Sequence, residues 1–356
     1  MLDETRILDH FAEQARWCED LGSPFTAALL RQFAHDFDAG GPVADICGDW
    51  NGNPRKDALG LRLTGYLHHA VLTGTAKALA ATYPAASPNW NMDLVWQAAK
   101  DWLSVHKDDA RAYLQSAPQT NETRRSIALL PGFLELAARF RMPMHLLELG
   151  ASAGLNQNWD RFTYDGGTWQ KPGPSDVTIS TVWNGPAPDH LEAAPLIASR
   201  AGCDLNPIDV SDDAAFLRLK SYTWPDQAGR LARLDVAAEL ARQRGVRIEQ
   251  ADAVDWLADR LANRPAKGLT VVYHSVFLVY PPKDDIARIM RLIEEAGAAA
   301  TANAPLAWLC FEPESLFGGD RTSPRMQTRL QAWPDGSTRV LNESDGHVTY
   351  IDAAEA

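Results

Sequence analysis

The sequence lacks the features that mark membrane, disulfide-rich and zinc-binding proteins. No apolar run approaches the roughly 18 residues that a membrane helix needs. The four cysteines form no C-x-x-C pair, which argues against a structural zinc site or a disulfide framework. There is no H-E-x-x-H motif either, and we predict no metal site. The first residues contain no signal-peptide core, so we expect a cytoplasmic protein without a membrane segment.

Positive charge is also scarce. The 356 residues carry 34 Lys and Arg against 46 Asp and Glu, a net charge of −12. An acidic chain repels phosphate backbones, and no basic stripe alternates with aromatic residues. Nucleic acid is therefore not the expected partner, and a small-molecule substrate is. Nothing in the sequence indicates the oligomeric state.

The apolar pattern changes character along the chain. In the first part apolar residues recur at helical spacing, and we predict a helical N-terminal region over residues 1–118. From residue 145 onward, short apolar runs alternate with helical stretches, which is typical of a parallel sheet covered on both faces. The predicted strands are residues 145–150, 177–183, 201–205, 246–252, 269–277 and 306–312.

Two segments depart from a simple alternation of strand and helix. Residues 161–190 are rich in Gly, Pro and aromatics, which predicts an inserted hairpin or a lid. Near the end of the chain, two alternating runs flank Asp345-Gly346, a strong hairpin signal. We therefore expect an α/β fold in which residues 119–356 form a mostly parallel sheet that ends in an antiparallel hairpin.

The most informative segment is the glycine loop after the first predicted strand, HLLELGASAGLNQNW. The strand ends at Gly150 and a helix is expected to begin near Gly154. Small residues allow a sharp turn and let a ligand approach the backbone. A nucleotide-hydrolysing loop needs Gly-Lys-Ser/Thr, and a dinucleotide fingerprint needs glycines where Ser152 and Leu155 stand. No Arg or Lys occurs at positions 145–160, so a nicotinamide-dependent enzyme is disfavoured.

The pattern E-L-G-x-S-x-G instead resembles the first motif of the Rossmann-like S-adenosylmethionine-dependent methyltransferases. In that family the ligand presents an amino-acid group and a sulfonium rather than a diphosphate. The resemblance implies that Glu148 lies near the ligand's amino group. It also implies that the loop binds S-adenosylmethionine through Gly150, Ser152, Gly154 and Asn156.

Acidic residues follow two later strands. The stretch Asp204-Leu-Asn206-Pro resembles the D-x-N-P sequence of the same family, in which the acid binds the ribose hydroxyls. Asp204 lies 50 residues past Gly154, where about 20 are usual, and the insertion at 161–190 accounts for the excess. The alternative is that Asp204 caps a turn before Pro207. Asp252 resembles the acid that contacts the adenine amino group, and it is equally suited to cap a helix.

Polar side chains that interrupt or follow the last apolar strands are candidates for catalysis. The resemblance places such groups near the substrate, so we predict that His274 and Glu312 flank the transferred methyl group, one of them as a base, with Tyr280 as a further candidate. The alternatives are a core histidine bound to the backbone and a glutamate that caps the turn at Pro313.

The last candidate is the polar run before the glycine loop, Gln119–Arg125. Because the helix after it leads into the first strand, we predict that Asn121, Glu122 and Arg124 face the cofactor. Capping of that helix is the alternative.

Longer stretches resemble a bacterial family known only as a domain of unknown function, number 2332. They include QTNETRR, LLELGASAGLNQNWDRF, GCDLNPIDV, SYTWPDQAGRLARLDVA, VVYHSVFLVYPP and SDGHVTYID. The expected function is a small-molecule methyltransferase. A methyltransferase-like binding module without turnover is the main alternative, and a nicotinamide-dependent enzyme is the second.

Overall fold

The computed structural model describes residues 2–320 and 322–354, with side chains from Thr5 onward, and divides into two compact units. The first unit runs up to Thr120 and includes Ser211–Leu234. The second comprises Asn121–Val210 and the chain from Asp235 onward.

The helices account for most of the first unit and for the layers around the sheet in the second. Their bounds are α1 Leu2–Asp20, α2 Pro24–Asp38, α3 Pro42–Cys47, α4 Leu59–Leu72, α5 Lys77–Ala80, α6 Met92–Val105, α7 Lys107–Leu114, α8 Arg125–Phe140, α9 Asp213–Ser221, α10 Ala228–Gln243, α11 Ala253–Ala262 and α12 Lys283–Ala298.

The predicted N-terminal helices are present, and they share one apolar core. Phe11 of α1 lies edge-on to Phe33 and Phe37 of α2, with ring centroids 6.0 and 6.3 Å apart. All three rings are buried. The spacing of apolar residues at three and four positions places them on one face of each helix, which explains why α1 and α2 pack together.

The strands of the second unit form a large sheet and a small one. Their bounds are β1 Met144–Leu149, β2 Thr163–Asp165, β3 Gln170–Lys171, β4 Thr178–Ser180, β5 Val182–Asn184, β6 Ile197–Asp204, β7 Glu249–Gln250, β8 Leu269–Ser275, β9 Leu306–Pro313, β10 Met326–Trp333, β11 Ser337–Ser344 and β12 Tyr350–Ala353.

The nine-stranded sheet has the order β5-β12-β11-β10-β9-β8-β1-β6-β7. Strands β7, β6, β1, β8 and β9 are parallel, while β10, β11 and β12 follow as antiparallel neighbours. The chain moves outward from β1 through β6 to β7 and then returns to β8 on the other side of β1. This reversal creates a switch point between β1 and β8, where open α/β sheets bind ligands at the carboxyl ends of strands.

The two faces of this sheet are covered by different helices. On one face, Leu147, Val272 and Trp308 belong to an apolar cluster with Ile289 and Ile293 of α12. On the other face α8 packs against β9, β10 and β11. Because side chains alternate along a strand, each strand residue is assigned to one face by its parity.

The closing hairpin is present as predicted, and the segment 161–190 contributes strands β2 to β5. Strands β2, β3 and β4 form the separate three-stranded sheet, and β11 pairs with β12 around Asp345-Gly346. The predicted strand 177–183 is divided between β4 and β5 and does not neighbour β1. The second strand of the parallel set is therefore β6, as the position of Asp204 required.

No helix within residues 2–320 and 322–354 is long and apolar enough to cross a membrane.

Candidate functional site

The glycine loop that follows β1 contains three residues with left-handed backbone conformation within five positions. Gly150, Ser152 and Gly154 have φ values of +65°, +53° and +69°. A Cβ on Gly150 would lie 2.5 Å from Cδ2 of Phe277, and one on Gly154 would lie 2.6 Å from Cδ1 of Ile248. Both glycines are therefore required by backbone conformation and by space.

The element that follows is a 3-10 helix, Leu155–Arg161, with non-helical backbone at Asn158. The prediction of a helix near Gly154 was correct in position but not in type. Arg200 of β6 holds this 3-10 helix through Gln157 O and through Asp160 Oδ2, at 2.5 and 2.8 Å.

The structure brings Asp204 to the glycine loop despite the 50-residue separation. Asp204 Oδ2 accepts a hydrogen bond from Ser152 N at 2.9 Å, and Oδ1 accepts one from Asn206 N at 2.9 Å. The second bond is the turn-capping role that the sequence left open. The first bond is not local, and it places a carboxylate at the edge of the loop.

The backbone N–H groups of the loop are largely occupied by protein acceptors. Ala151 N donates to Cys203 O, Gly154 N to Ala151 O, and Leu155 N to Asn121 Oδ1, at 3.0, 2.7 and 3.0 Å. A phosphate-binding loop offers such groups to its ligand instead. This loop has few left to offer, which argues against a diphosphate ligand.

The polar run before α8 contacts the glycine loop through two of its residues, and whether they face a cofactor stays a prediction. Asn121 binds Leu155 N, and the backbone oxygen of Glu122 accepts a hydrogen bond from Asn156 Nδ2 at 3.3 Å. Glu122 Oε1 accepts one from Arg124 N, and Arg124 is the N-cap residue of α8. Asn121 therefore caps the 3-10 helix rather than α8.

Glu148 is buried at the end of β1, beside the loop. Tyr273 of β8 donates a hydrogen bond to its Oε2 at 3.1 Å. Burial is the main cause that raises the pKa of Glu148 to about 8, and the nearby charge of Asp204 adds to it. The residues that precede them on their strands, Leu147 and Cys203, belong to the α12 face. Because side chains alternate along a strand, Glu148 and Asp204 both lie on the opposite face of the sheet.

Several buried polar atoms around the loop have no hydrogen-bond partner within the described chain. They are Ser152 Oγ, Asn156 Oδ1, both side-chain polar atoms of Asn158, and Trp159 Nε1. An unsatisfied buried polar group costs about 1–3 kcal/mol. Such a concentration in eight residues is typical of a place where a ligand or ordered water supplies the missing partners.

The predicted catalytic pair His274 and Glu312 is a fully buried contact, with Nδ1 and Oε1 2.7 Å apart. Trp308 donates its indole N–H to His274 Nε2 at 2.9 Å, so both ring nitrogens are occupied. His274 and Glu312 share the α12 face with Val272 and Trp308. Glu148 and Asp204 face the other way. The geometry gives the base role no support, and that role remains an untested prediction.

Two further predicted residues, Tyr280 and Asp252, follow the carboxyl ends of parallel strands. Tyr280 is 74% exposed in the loop after β8. Asp252 is exposed and caps α11, accepting from Val254 N at 2.9 Å and Asp255 N at 3.3 Å. The capping alternative for Asp252 is thus present in the structure, and its contact with a ligand is untested.

Sequence reasoning missed Tyr273, Phe277, Trp308 and Asn158. All four lie within or beside segments that had been singled out, but in a parallel strand apolar residues fill both faces and hide which side chain reaches which neighbour. A tyrosine directly before His274 in an apolar strand was the available signal, because a buried Tyr hydroxyl needs a partner.

A separate groove of the second unit lies away from this site. It has a volume of about 990 Å³ and is lined by Ala137, Trp183, Leu196 and Ala353, among others. Leu196 directly precedes β6, so this groove opens near the amino ends of the parallel strands. Within the part of the chain that is described, no group of three or more His, Cys, Asp or Glu residues is placed to hold a metal ion.

Together these elements define an α/β protein with a candidate ligand site at the carboxyl edge of a mostly parallel sheet. Over residues 8–352 the chain matches the model of a family described as an uncharacterized protein conserved in bacteria, domain of unknown function 2332. The match spans nearly the whole chain, and the chain belongs to that family, which confirms the resemblance. No curated protein and no solved structure matches the chain.

Proposed function

We propose that the chain binds S-adenosylmethionine at the glycine loop and uses it to methylate a small molecule. The observation that carries this proposal is the combination of residues 148–158 with Asp204 beside them. A loop with three left-handed residues keeps its own N–H groups occupied, yet presents a carboxylate and unpartnered side-chain atoms. These groups fit a ligand with an amino-acid group and a diol better than a diphosphate.

The strand order gives independent support. Numbered in chain order, the five parallel strands run 3-2-1-4-5, which is the order at the start of a Rossmann-like sheet. In such sheets the ligand lies at the switch point beside the first strand. Gly150, Asp204 and Glu148 all lie there.

Each residue has a chemical role in this proposal. Asp204 is fixed at the edge of the loop by its contacts with Ser152 N and Asn206 N, and a carboxylate there is suited to accept hydrogen bonds from the ribose hydroxyls. Glu148 would accept a hydrogen bond from the ligand's amino group, and a cationic ligand would favour its ionised form. When bound, S-adenosylmethionine would supply an electrophilic methyl group, and the protein's part is chiefly to orient the acceptor and exclude water.

A binding module without turnover is the second candidate. It is favoured by the occupied nitrogens of His274, which leave that residue no free lone pair to act as a base. Both candidates share the same ligand, so they differ only in whether a methyl group is transferred.

A ligand panel tests the proposal. Thermal unfolding of the purified chain is measured with S-adenosylmethionine, S-adenosylhomocysteine, NAD and ATP, each at millimolar concentration. We expect stabilisation by the first two alone, because a ligand that binds only the native state raises its stability. Stabilisation by NAD or ATP, with none from the two sulfur nucleosides, would contradict the proposal.

A matched pair of variants shows where the ligand binds. Asp204 and Asp165 both accept a hydrogen bond from the backbone N–H two residues later, at 2.9 and 2.8 Å. Only Asp204 also contacts the glycine loop. Asp204→Ala should abolish or strongly reduce the stabilisation by S-adenosylhomocysteine, whereas Asp165→Ala should leave it unchanged.

A further inference from the structure

A buried chain of hydrogen bonds crosses β8 and β9 beside the glycine loop. Trp308 Nε1 donates to His274 Nε2 at 2.9 Å, and His274 Nδ1 lies 2.7 Å from Glu312 Oε1. An indole nitrogen can only donate, so Nε2 must be the unprotonated nitrogen and Nδ1 carries the proton. His274 is therefore the neutral tautomer that links a donor on one side to a carboxyl oxygen on the other.

The Glu312 end of this hydrogen-bond network holds the loop after β8. Glu312 Oε1 also accepts hydrogen bonds from Phe277 N and Leu278 N, at 2.7 and 3.2 Å. One oxygen thus fixes two successive backbone amides and the imidazole together. Side-chain acceptors on loop amides substitute for regular secondary structure in holding a loop.

The loop needs to be held because it is strained. Val276 has φ of +52°, which is unusual for a β-branched residue. The next side chain, Phe277, lies against the backbone of Gly150, since a Cβ there would be 2.5 Å from its ring. The strained turn therefore places an aromatic ring directly on the first residue of the glycine loop.

We propose that Trp308, His274 and Glu312 are positioning residues, which hold Phe277 against Gly150 and so set the shape of the cofactor loop. This inference rests on the proposed function for its ligand but not for its geometry. It replaces a base role for His274 and Glu312 with a role that acts through Phe277. None of the three is expected to touch the substrate.

The first test needs no ligand. Hydrogen exchange of the Phe277 and Leu278 amides is compared between the wild type and Glu312→Ala. Loss of the shared acceptor should increase exchange at these two amides by at least about tenfold, the scale of one hydrogen bond. Glu312→Gln keeps an acceptor oxygen and should largely restore protection. Equal protection in the wild type and Glu312→Ala would overturn the proposal.

The second test measures affinity for S-adenosylhomocysteine by calorimetry. Glu312→Ala and Trp308→Phe should each weaken binding by about tenfold, whereas Glu312→Gln should stay close to the wild type. The control is Thr328→Val, which removes another fully buried hydrogen bond, to Asn342 at 2.8 Å, from the same sheet. It should lower stability and leave affinity unchanged.

The outcomes separate the two hypotheses. If the wild type does not bind S-adenosylhomocysteine, the proposed function fails and hydrogen exchange still decides the positioning role. If the wild type binds and Trp308→Phe is folded with unchanged affinity, the positioning proposal fails. It fails equally if Thr328→Val weakens binding as much as Glu312→Ala, because the effect is then one of general stability.

Discussion

Replacing Gly150 by alanine tests whether the glycine loop is built as described. Two costs are expected, one from the backbone and one from packing. The residue has φ of +65°, and the added Cβ would lie 2.5 Å from Cδ2 of Phe277. Neither cost depends on any ligand.

The magnitude follows from these two contacts. A left-handed conformation costs a non-glycine residue roughly 1–2 kcal/mol. Carbon atoms pack at about 3.5–4.0 Å, so the Phe277 ring must move by roughly 1 Å. Forcing an extra carbon into a packed site costs about 1–3 kcal/mol. Gly150→Ala should therefore destabilise the chain by about 2–5 kcal/mol.

Gly167→Ala is the matched control. Gly167 has a similar φ of +80°, but a Cβ there would meet nothing within 4 Å. It should show only the backbone cost, about 1–2 kcal/mol.

Urea unfolding of both variants isolates the packing cost, and adding Phe277→Ala to each variant identifies its source. The Phe277→Ala background should recover about 1–3 kcal/mol for Gly150→Ala and nothing for Gly167→Ala. Equal costs for the two glycines, or no recovery with Phe277→Ala, would refute the described packing.

Three further predictions concern individual titratable or ligand-binding groups. Asp204→Ala should weaken binding of S-adenosylhomocysteine by about 1–3 kcal/mol in a calorimetric titration, with Asp165→Ala unchanged. Because burial raises the pKa of Glu148 from 4.5 to about 8, the native state keeps a proton that the unfolded chain loses. The free energy of unfolding of the wild type should therefore fall relative to that of Glu148→Gln as pH rises from about 5 to 8, by at most about 1.4 kcal/mol per pH unit. A difference between the two proteins that does not change with pH in urea unfolding would contradict this. Burial lowers the pKa of His68 from 6.5 to about 4. The free energy of unfolding of the wild type should therefore fall relative to that of His68→Gln as pH drops from 6.5 towards 4. A difference that does not change with pH in the same assay would contradict a neutral buried imidazole.

Much of the sheet could be predicted because its strands have clear chemical boundaries. Apolar runs ending in Gly150, Asp204 and Glu312 marked three parallel strands, and Asp345-Gly346 marked a hairpin. The hairpin between β10 and β11 was missed, although Pro334-Asp335-Gly336 is a turn sequence. The four cysteines are buried and free.

The side on which a polar residue lies was harder to predict. His274 and Glu312 were expected to flank a transferred methyl group, and the structure places them in direct contact. Strands buried on both faces give no alternation from which to assign a face. The structure places both residues on the α12 face, away from Glu148 and Asp204. The 3-10 helix after Gly154 was also hidden, because its kink at Asn158 has no sequence signal that distinguishes it from an α-helix.

The most direct test of the central claim is a calorimetric titration of the purified chain with S-adenosylhomocysteine. The proposed site predicts one ligand bound per chain with a dissociation constant below about 1 mM. It also predicts that NAD titrated under the same conditions gives no heat. No heat from S-adenosylhomocysteine at millimolar concentration, together with saturable binding of NAD, would contradict the account.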